Sequence, residues 1–161
     1  MPFRLRHATV NDAETIAQIY FASFRLLTFL PMLHEIDSYR WYVANRMLKE
    51  WVVTVAEDET GIISFLGRQG EEVGHFYTRP DRIGQGAGTQ LIEEAKASGV
   101  AALELWCFQA NMYARRFYER RGFRAIRTTD GAGNEERMPD VRYRWERSSW
   151  PPTGIGGRPA S

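Results

Sequence analysis

Three glycines at alternate positions, 84, 86 and 88, in the run Arg82-Ile83-Gly84-Gln85-Gly86-Ala87-Gly88-Thr89 constrain this chain more than any other feature. They fall between a segment that reads as a strand and one that reads as a helix. Losing Cβ at every second residue opens the backbone to close approach and permits positive φ. A helix starting there aims unpaired N–H groups and a positive dipole end at the loop. The matching guest is a phosphate or pyrophosphate. Walker A does not fit, because Gly88 is followed by Thr89-Gln90 rather than Lys-Ser/Thr. The dinucleotide fingerprint wants a third glycine where Thr89 stands, and a loop directly after its strand, whereas TRPDRI intervenes.

The rest of the chain can be read around that loop. Phe3, Leu5 and His7 alternate with Arg4 and Arg6 as a short strand. Asn11, with Glu14 three residues on, suggests the capped start of a helix through Ile16, Ile19, Tyr20 and Phe24. Asp37 or Ser38 would cap a second helix ending near Leu48. From Trp51 the period becomes two: WVVTVAE, GIISFLG and EEVGHFYT form an antiparallel meander with turns at 58–61 and at Gln69-Gly70. A helix over about Gly88–Ser98 closes on Gly99, VAALELWCF is a strand, and NMYARRFYERRG is a helix closed by Gly122. FRAIRTT and VRYRWE are the last strands. The order β-α-α-β-β-β-α-β-α-β-β predicts an α/β chain with a mixed sheet and helices on its faces. The expected layout is one domain over 1–147 and a Gly/Pro/Ser-rich flexible tail over 148–161.

Charge and cysteine content narrow the function classes. Twenty-one basic against twenty acidic residues leave a net charge of +1, so no global field favours nucleic acid or an acidic membrane. Cys107 is the only cysteine, which excludes an intrachain disulfide and a cysteine-built zinc site. Its place in the apolar run LELWCF predicts a buried small hydrophobe rather than a nucleophile. His7 and His34 lack ligand spacing, so no metal is expected. With no apolar leader and no membrane-length run, the expectation is a cytoplasmic protein.

Two motifs in order carry a family resemblance. FYTRPDRIGQGAGTQLIEEA matches a strand, a proline and a loop of the form Gln/Arg-x-x-Gly-x-Gly/Ala, with Ile83 at the first position and Arg82 just before it. Asn111-x-x-Ala114-x-x-Phe117-Tyr118-x-x-x-Gly122-Phe123 matches the second. From about Phe3 to Glu146 the chain resembles the GNAT superfamily of N-acetyltransferases, and within it a bacterial branch of uncharacterised members. Residues 111, 114 and 118 share a helical face, while Phe117 is expected to turn toward the core.

That resemblance implies the GNAT acyl-CoA N-acyltransferase fold, with acetyl-CoA as co-substrate and a small-molecule or peptide amine as acceptor in a ternary complex. It places Tyr118 as general acid and the backbone of Phe76, Tyr77 and Thr78 on the pantetheine arm. Ile83, Gly84, Gln85, Gly86, Ala87, Gly88 and Thr89 would take the pyrophosphate, and Asn111 the cofactor arm or a water. His75 is the candidate base, since imidazole titrates near neutrality; Glu71, Glu72 or a water chain are the alternatives. Arg115, Arg116, Arg120 and Arg121 read as a solvated helix face, or as a greeting for a 3′-phosphate. The acceptor would sit between Phe24–Tyr39 and the loop Asp130–Asp140, whose Asp130, Glu135 and Glu136 could attract a cation. A homodimer is among the arrangements that relatives adopt. Two rival readings are a non-catalytic acyl-CoA sensor of the same fold and a nucleotide-dependent oxidoreductase.

Overall fold

The computed structural model describes residues 3–148, so the tail expected over 148–161 lies, apart from Ser148, outside the described residues. The elements are β1 (Arg4–His7), α1 (Ala13–Arg25), α2 (Ile36–Tyr42), α3 (Leu48–Glu50), β2 (Val52–Asp58), β3 (Gly61–Gln69), β4 (Glu72–Thr78), α4 (Ala87–Ala97), β5 (Ala102–Phe108), α5 (Met112–Arg120), β6 (Arg124–Thr129) and β7 (Asp140–Glu146). Short 3₁₀ turns at Val10–Asp12 and Pro80–Arg82 precede α1 and the glycine loop. A π-helical turn, Val43–Met47, joins α2 to α3.

Local chemistry explains where the boundaries moved. The start of α1 is organised by Thr9 and Asp12 instead of Asn11 and Glu14. Thr9 N–H donates to Asp12 Oδ2 at 2.7 Å, and Arg6 holds the same carboxylate at 2.8 Å. Glu14 instead accepts from Gln18 and Arg40. The second helix starts at Ile36 with Glu35 as its cap residue, because Asp37 is engaged by Arg40 at 2.9 Å. The glycines expected to end helices, Gly99 and Gly122, have φ of +99° and +89°.

The described residues form one seven-stranded mixed sheet in the order β1-β2-β3-β4-β5-β7-β6. β1 to β4 are an antiparallel meander, and β7 inserts antiparallel between β5 and β6. Only β4 and β5 run parallel, and they meet at a single register pair, Glu72↔Glu104. Arg142 of β7 clamps that point, pairing with Glu72 at 2.5 Å and Glu104 at 2.8 Å, and Arg144 joins Glu104 as well. Beyond the pair the two strands separate. Two cores fill opposite faces of the sheet: Ile16, Val43, Met47 and Phe65 under α1 to α3, and Leu91, Ile92, Leu103 and Tyr143 under α4 and α5.

Candidate active site

The divergence of β4 from β5 creates the site. From His75 to Thr78, β4 pairs with β3 along one edge, while its other edge faces a cavity of about 750 Å³. Backbone groups left unpaired at such a split must find water or a ligand. Side chains alternate along the strand. Phe76 points to the α4/α5 face, where its ring lies 5.8 Å from Phe117, while His75 and Tyr77 point to the α1/α2 face.

The glycine loop forms one end of the cavity. Gly84 and Gly86 have φ of +83° and +99°, and nothing lies within 4 Å of where a Cβ would stand on either. Gly86 is the left-handed cap residue of α4, so Ala87, Gly88 and Thr89 present their N–H groups to the cavity from the first turn. Arg82 braces the loop from behind. It bonds Asp58 Oδ2 at 2.7 Å, Thr60 Oγ1 at 3.2 Å and Gln85 Oε1 at 2.5 Å. Gln85 is thereby turned away, and alone among the expected loop residues it does not line the cavity.

Helix α5 forms the facing wall. Asn111 caps it, its Oδ1 accepting the Ala114 N–H at 3.2 Å, which leaves its amide NH₂ for the cavity. Tyr143 of β7 fixes the helix by donating to Glu119 Oε2 at 2.6 Å and accepting from Arg115 at 3.1 Å. Tyr118 then sits among the rings of Phe76, Phe117, Phe123 and Tyr143, all within 6.3 Å. Its hydroxyl makes no hydrogen bond to a described residue, and burial raises its pKa well above the ordinary phenol value. Cys107 lines the same cavity, and burial pushes its thiol up to about 12. It is the buried small residue expected, with no sign of thiolate activation.

Four expectations change. Phe117 lines the cavity as well as packing on the core. Arg115 and Arg121 leave the solvated face: Arg115 is spent on Tyr143 and the Gln109 carbonyl. Arg121 lies flat over Phe117 at 3.7 Å, donates to Thr89 Oγ1 at 2.6 Å and to the Phe117 carbonyl at 2.9 Å, and keeps a buried Nε with no partner. Glu72 is consumed by Arg142, and neither it nor Glu71 lines the cavity. His75 sits boxed in by Trp51, Tyr20 and Tyr42, with Nε2 bonded to Tyr42 Oη at 2.9 Å and Nδ1 buried without a partner. Burial lowers it to about 4, so it is neutral at pH 7.

Arg121, read from the sequence as part of a solvated face or as a 3′-phosphate contact, lines the cavity. The signal was present, since 114, 117, 118 and 121 continue one face at i, i+3, i+4 and i+7. At the α1 end of the cavity, Leu26 and Leu27 fall within the expected 24–39 segment and Ser23 just outside it. Ser23 Oγ donates to the Thr78 carbonyl at 2.8 Å, and Leu26 and Leu27 close the wall.

A family profile described as an acetyltransferase (GNAT) domain matches residues 49–125, a span holding the β4 edge, the glycine loop and the whole of α5. Over those residues the chain is similar to a GNAT acetyltransferase domain. An uncharacterized N-acetyltransferase of Methanocaldococcus jannaschii is 29% identical over 138 residues, covering 75% of this chain and 60% of that protein. This chain therefore spans less than two thirds of that relative. Among solved structures, a GCN5-related N-acetyltransferase from Rhodopseudomonas palustris superposes with a TM-score of 0.74 at 19% identity, covering 91% of this chain and 97% of the other. The PaiA N-acetyltransferase of Thermoplasma acidophilum, solved in complex with coenzyme A, gives 0.73 at 18% identity, covering 91% and 100%. The GNAT fold implied by the resemblance is the fold observed.

Proposed function

We propose that the protein is an N-acetyltransferase that moves the acetyl group of acetyl-CoA to a primary amine by direct attack in a ternary complex. The observation that carries this reading is the cavity. A split parallel pair exposes the β4 backbone edge, and a loop with open Cβ directions at Gly84 and Gly86 closes one end. Tyr118, whose hydroxyl bonds no described residue, lines that cavity. The donor set suits the ligand. The α4 N-terminus and the orphan Nε of Arg121 offer positive potential for phosphates, and the β4 edge offers N–H and C=O groups for an amide-bearing arm. Coenzyme A is also the ligand of the PaiA structure.

Acetyl-CoA supplies the activated thioester. Within that reading, Ile83, Gly84, Gly86, Ala87, Gly88 and Thr89 hold the pyrophosphate, with Arg121 added to the set. Gln85 contributes by fastening Arg82 behind the loop. Phe76, Tyr77 and Thr78 orient the arm through their backbone, and Asn111 through its free NH₂. Tyr118 Oη keeps a proton where the thiolate departs. His75 acts in this reading as a positioning residue under the β4 backbone, because its ring is enclosed and Nε2 is engaged. The ammonium proton leaves through water in the open cleft. The setting we assign is the cytoplasm, where acetyl-CoA is supplied; among the described residues no helix is long and apolar enough to cross a membrane.

Calorimetric titration with acetyl-CoA, with NAD as control ligand, tests the reading. Micromolar binding of acetyl-CoA alone, followed by amine-dependent thiol release, is the expected result. Binding without release for any amine would leave the acyl-CoA sensor. Preference for NAD would revive the oxidoreductase reading.

A further inference from the structure

The pairing of β3 with β4 is irregular beside the point where β4 leaves β5. Gly67 pairs with His75 and Arg68 with Val73, so Gly74 is an extra residue on β4, a β-bulge. Bulges bend a strand and re-aim its groups, and they recur next to active sites. Here Gly74 and His75 turn toward one face. The Cβ direction of Gly74 runs into the Trp51 ring, and the His75 ring lies against that same indole. Gly74 is itself exposed and lines the cavity together with Val73 and His75.

Trp51 fills the space behind the bulge. A Cβ on Gly74 would collide with its Cη2 and Cζ3, so only glycine lets the indole reach the strand backbone. The indole stands edge-on to the His75 imidazole, with ring centroids 4.7 Å apart. His75 is fastened through Nε2 to Tyr42 Oη at 2.9 Å, and its Nδ1 lies 3.3 Å from where a Cβ on Gly67 would stand. Two glycines on paired strands thus make room for one imidazole and one indole. Trp51 is anchored in turn. Its N–H donates to the Met47 carbonyl at 3.0 Å, and Gln69 Nε2 donates to the Glu50 carbonyl at 2.9 Å, tying the end of α3 to the β3–β4 turn. The π-helical turn Val43–Met47 lies between Tyr42 and Trp51, and such turns recur at functional sites.

Trp51 does not line the cavity, so whatever it does there it does through the strand. A displacement of about 1 Å at a positioning group can cost about 100-fold in rate. We propose that Trp51 is a positioning residue for acetyl transfer: its indole, braced by Tyr42 and His75, seats the Gly74 bulge and so sets where β4 presents its N–H and C=O groups to the acetyl end of the cofactor. This rests on the N-acetyltransferase reading and adds to it a residue outside the cavity.

The test pairs two substitutions. Trp51→Phe removes the outer ring atoms that stand over Gly74 and leaves a gap. Gly74→Ala drives a methyl group into the intact indole. In the double variant the methyl group occupies the gap, so non-additivity reports the contact itself. The readout is the carbonyl stretching band of acetyl-CoA, isotopically labelled at the thioester carbonyl and bound to the full chain, beside calorimetric affinities for acetyl-CoA and coenzyme A. Hydrogen bonds aimed at a carbonyl polarise it and lower its frequency. Each single substitution should move the band to higher frequency with coenzyme A affinity within about twofold of wild type. The double variant should return the band toward the wild-type position. An equal loss of affinity for both ligands with an unmoved band would make Trp51 a packing residue only, and a band displaced as far in the double variant would deny the contact; either overturns the proposal. If Gly74→Ala does not fold, Trp51→Phe decides alone, an unmoved band being the refutation. Failure of acetyl-CoA to bind wild type overturns the N-acetyltransferase reading and this role with it, whereas binding with an unmoved band overturns only the role.

Discussion

Replacing Tyr118 with Phe separates chemistry from packing at the centre of the cavity. The ring touches Phe76, Phe117, Phe123 and Tyr143, and all those contacts survive the substitution. The hydroxyl bonds no described residue, so its removal breaks no hydrogen bond within the fold. Stability should change by no more than about 0.5 kcal/mol. At about 2–4 °C per kcal/mol for a chain of this size, the melting temperature moves by about 2 °C at most. Tyr118→Ala removes the ring itself and should cost about 3–5 kcal/mol, or about 6–20 °C on the same scale. Catalysis responds in the opposite order of subtlety. A positioned general acid contributes roughly 10²–10⁴-fold, so Tyr118→Phe should lower kcat by that factor at an unchanged KM for acetyl-CoA. Thiol release under steady-state conditions reads kcat, and calorimetry reads affinity. Turnover within about threefold of wild type would remove Tyr118 from the proton transfer. A loss of affinity equal to the loss of turnover would make its hydroxyl a binding group.

Two further substitutions probe the other parts of the site. Gly86→Val forces a β-branched residue into φ +99°, costing about 1–2 kcal/mol of stability. With nothing within 4 Å of its Cβ the fold should persist, while acetyl-CoA affinity drops by about 100-fold or more as the side chain fills the approach to the backbone; retained affinity would refute the loop assignment. His75 has a pH signature. Its folded pKa of about 4 lies below the ordinary 6.5, so the unfolded chain binds the proton more readily between these values. Stability should be full above pH 6.5 and fall as pH drops toward 4. Urea unfolding should show about 2 kcal/mol lost between pH 7 and pH 5, and His75→Gln should flatten that slope. A wild type equally stable at both pH values would contradict the buried neutral imidazole.

The features legible in the sequence are those that one stretch of chain decides by itself. The glycine loop, the helices closed by Gly99 and Gly122, the period-two meander and the 111–114–118 face all follow from backbone freedom and side-chain spacing over a few residues. That was enough for the element order and the mixed sheet, while the β4 contacts and the place of Tyr118 came through the family resemblance. Cap choice was already less secure. Thr9 and Asp12 displaced Asn11 and Glu14 because Arg6, on another element, supplied a partner for Asp12.

Whatever depended on residues distant in sequence was settled only in three dimensions. The insertion of β7 between β5 and β6 brings Arg142 to the point where Glu72 and Glu104 meet, and the strands part beyond it. No local pattern contains that triad, yet it fixes where the cavity opens. Arg121 could be read as a solvated arginine or a 3′-phosphate contact until Thr89 and Phe117 gave it a seat. His75 looked poised for proton transfer until Trp51, Tyr20 and Tyr42 enclosed it. Glu136 was one of three loop carboxylates. The fold left it without an ion pair among the described residues, while Glu135 went to His34. The sequence supplies the chemical groups and their local geometry; desolvation and pairing, which determine what each group can do, depend on neighbours that only the folded chain brings together.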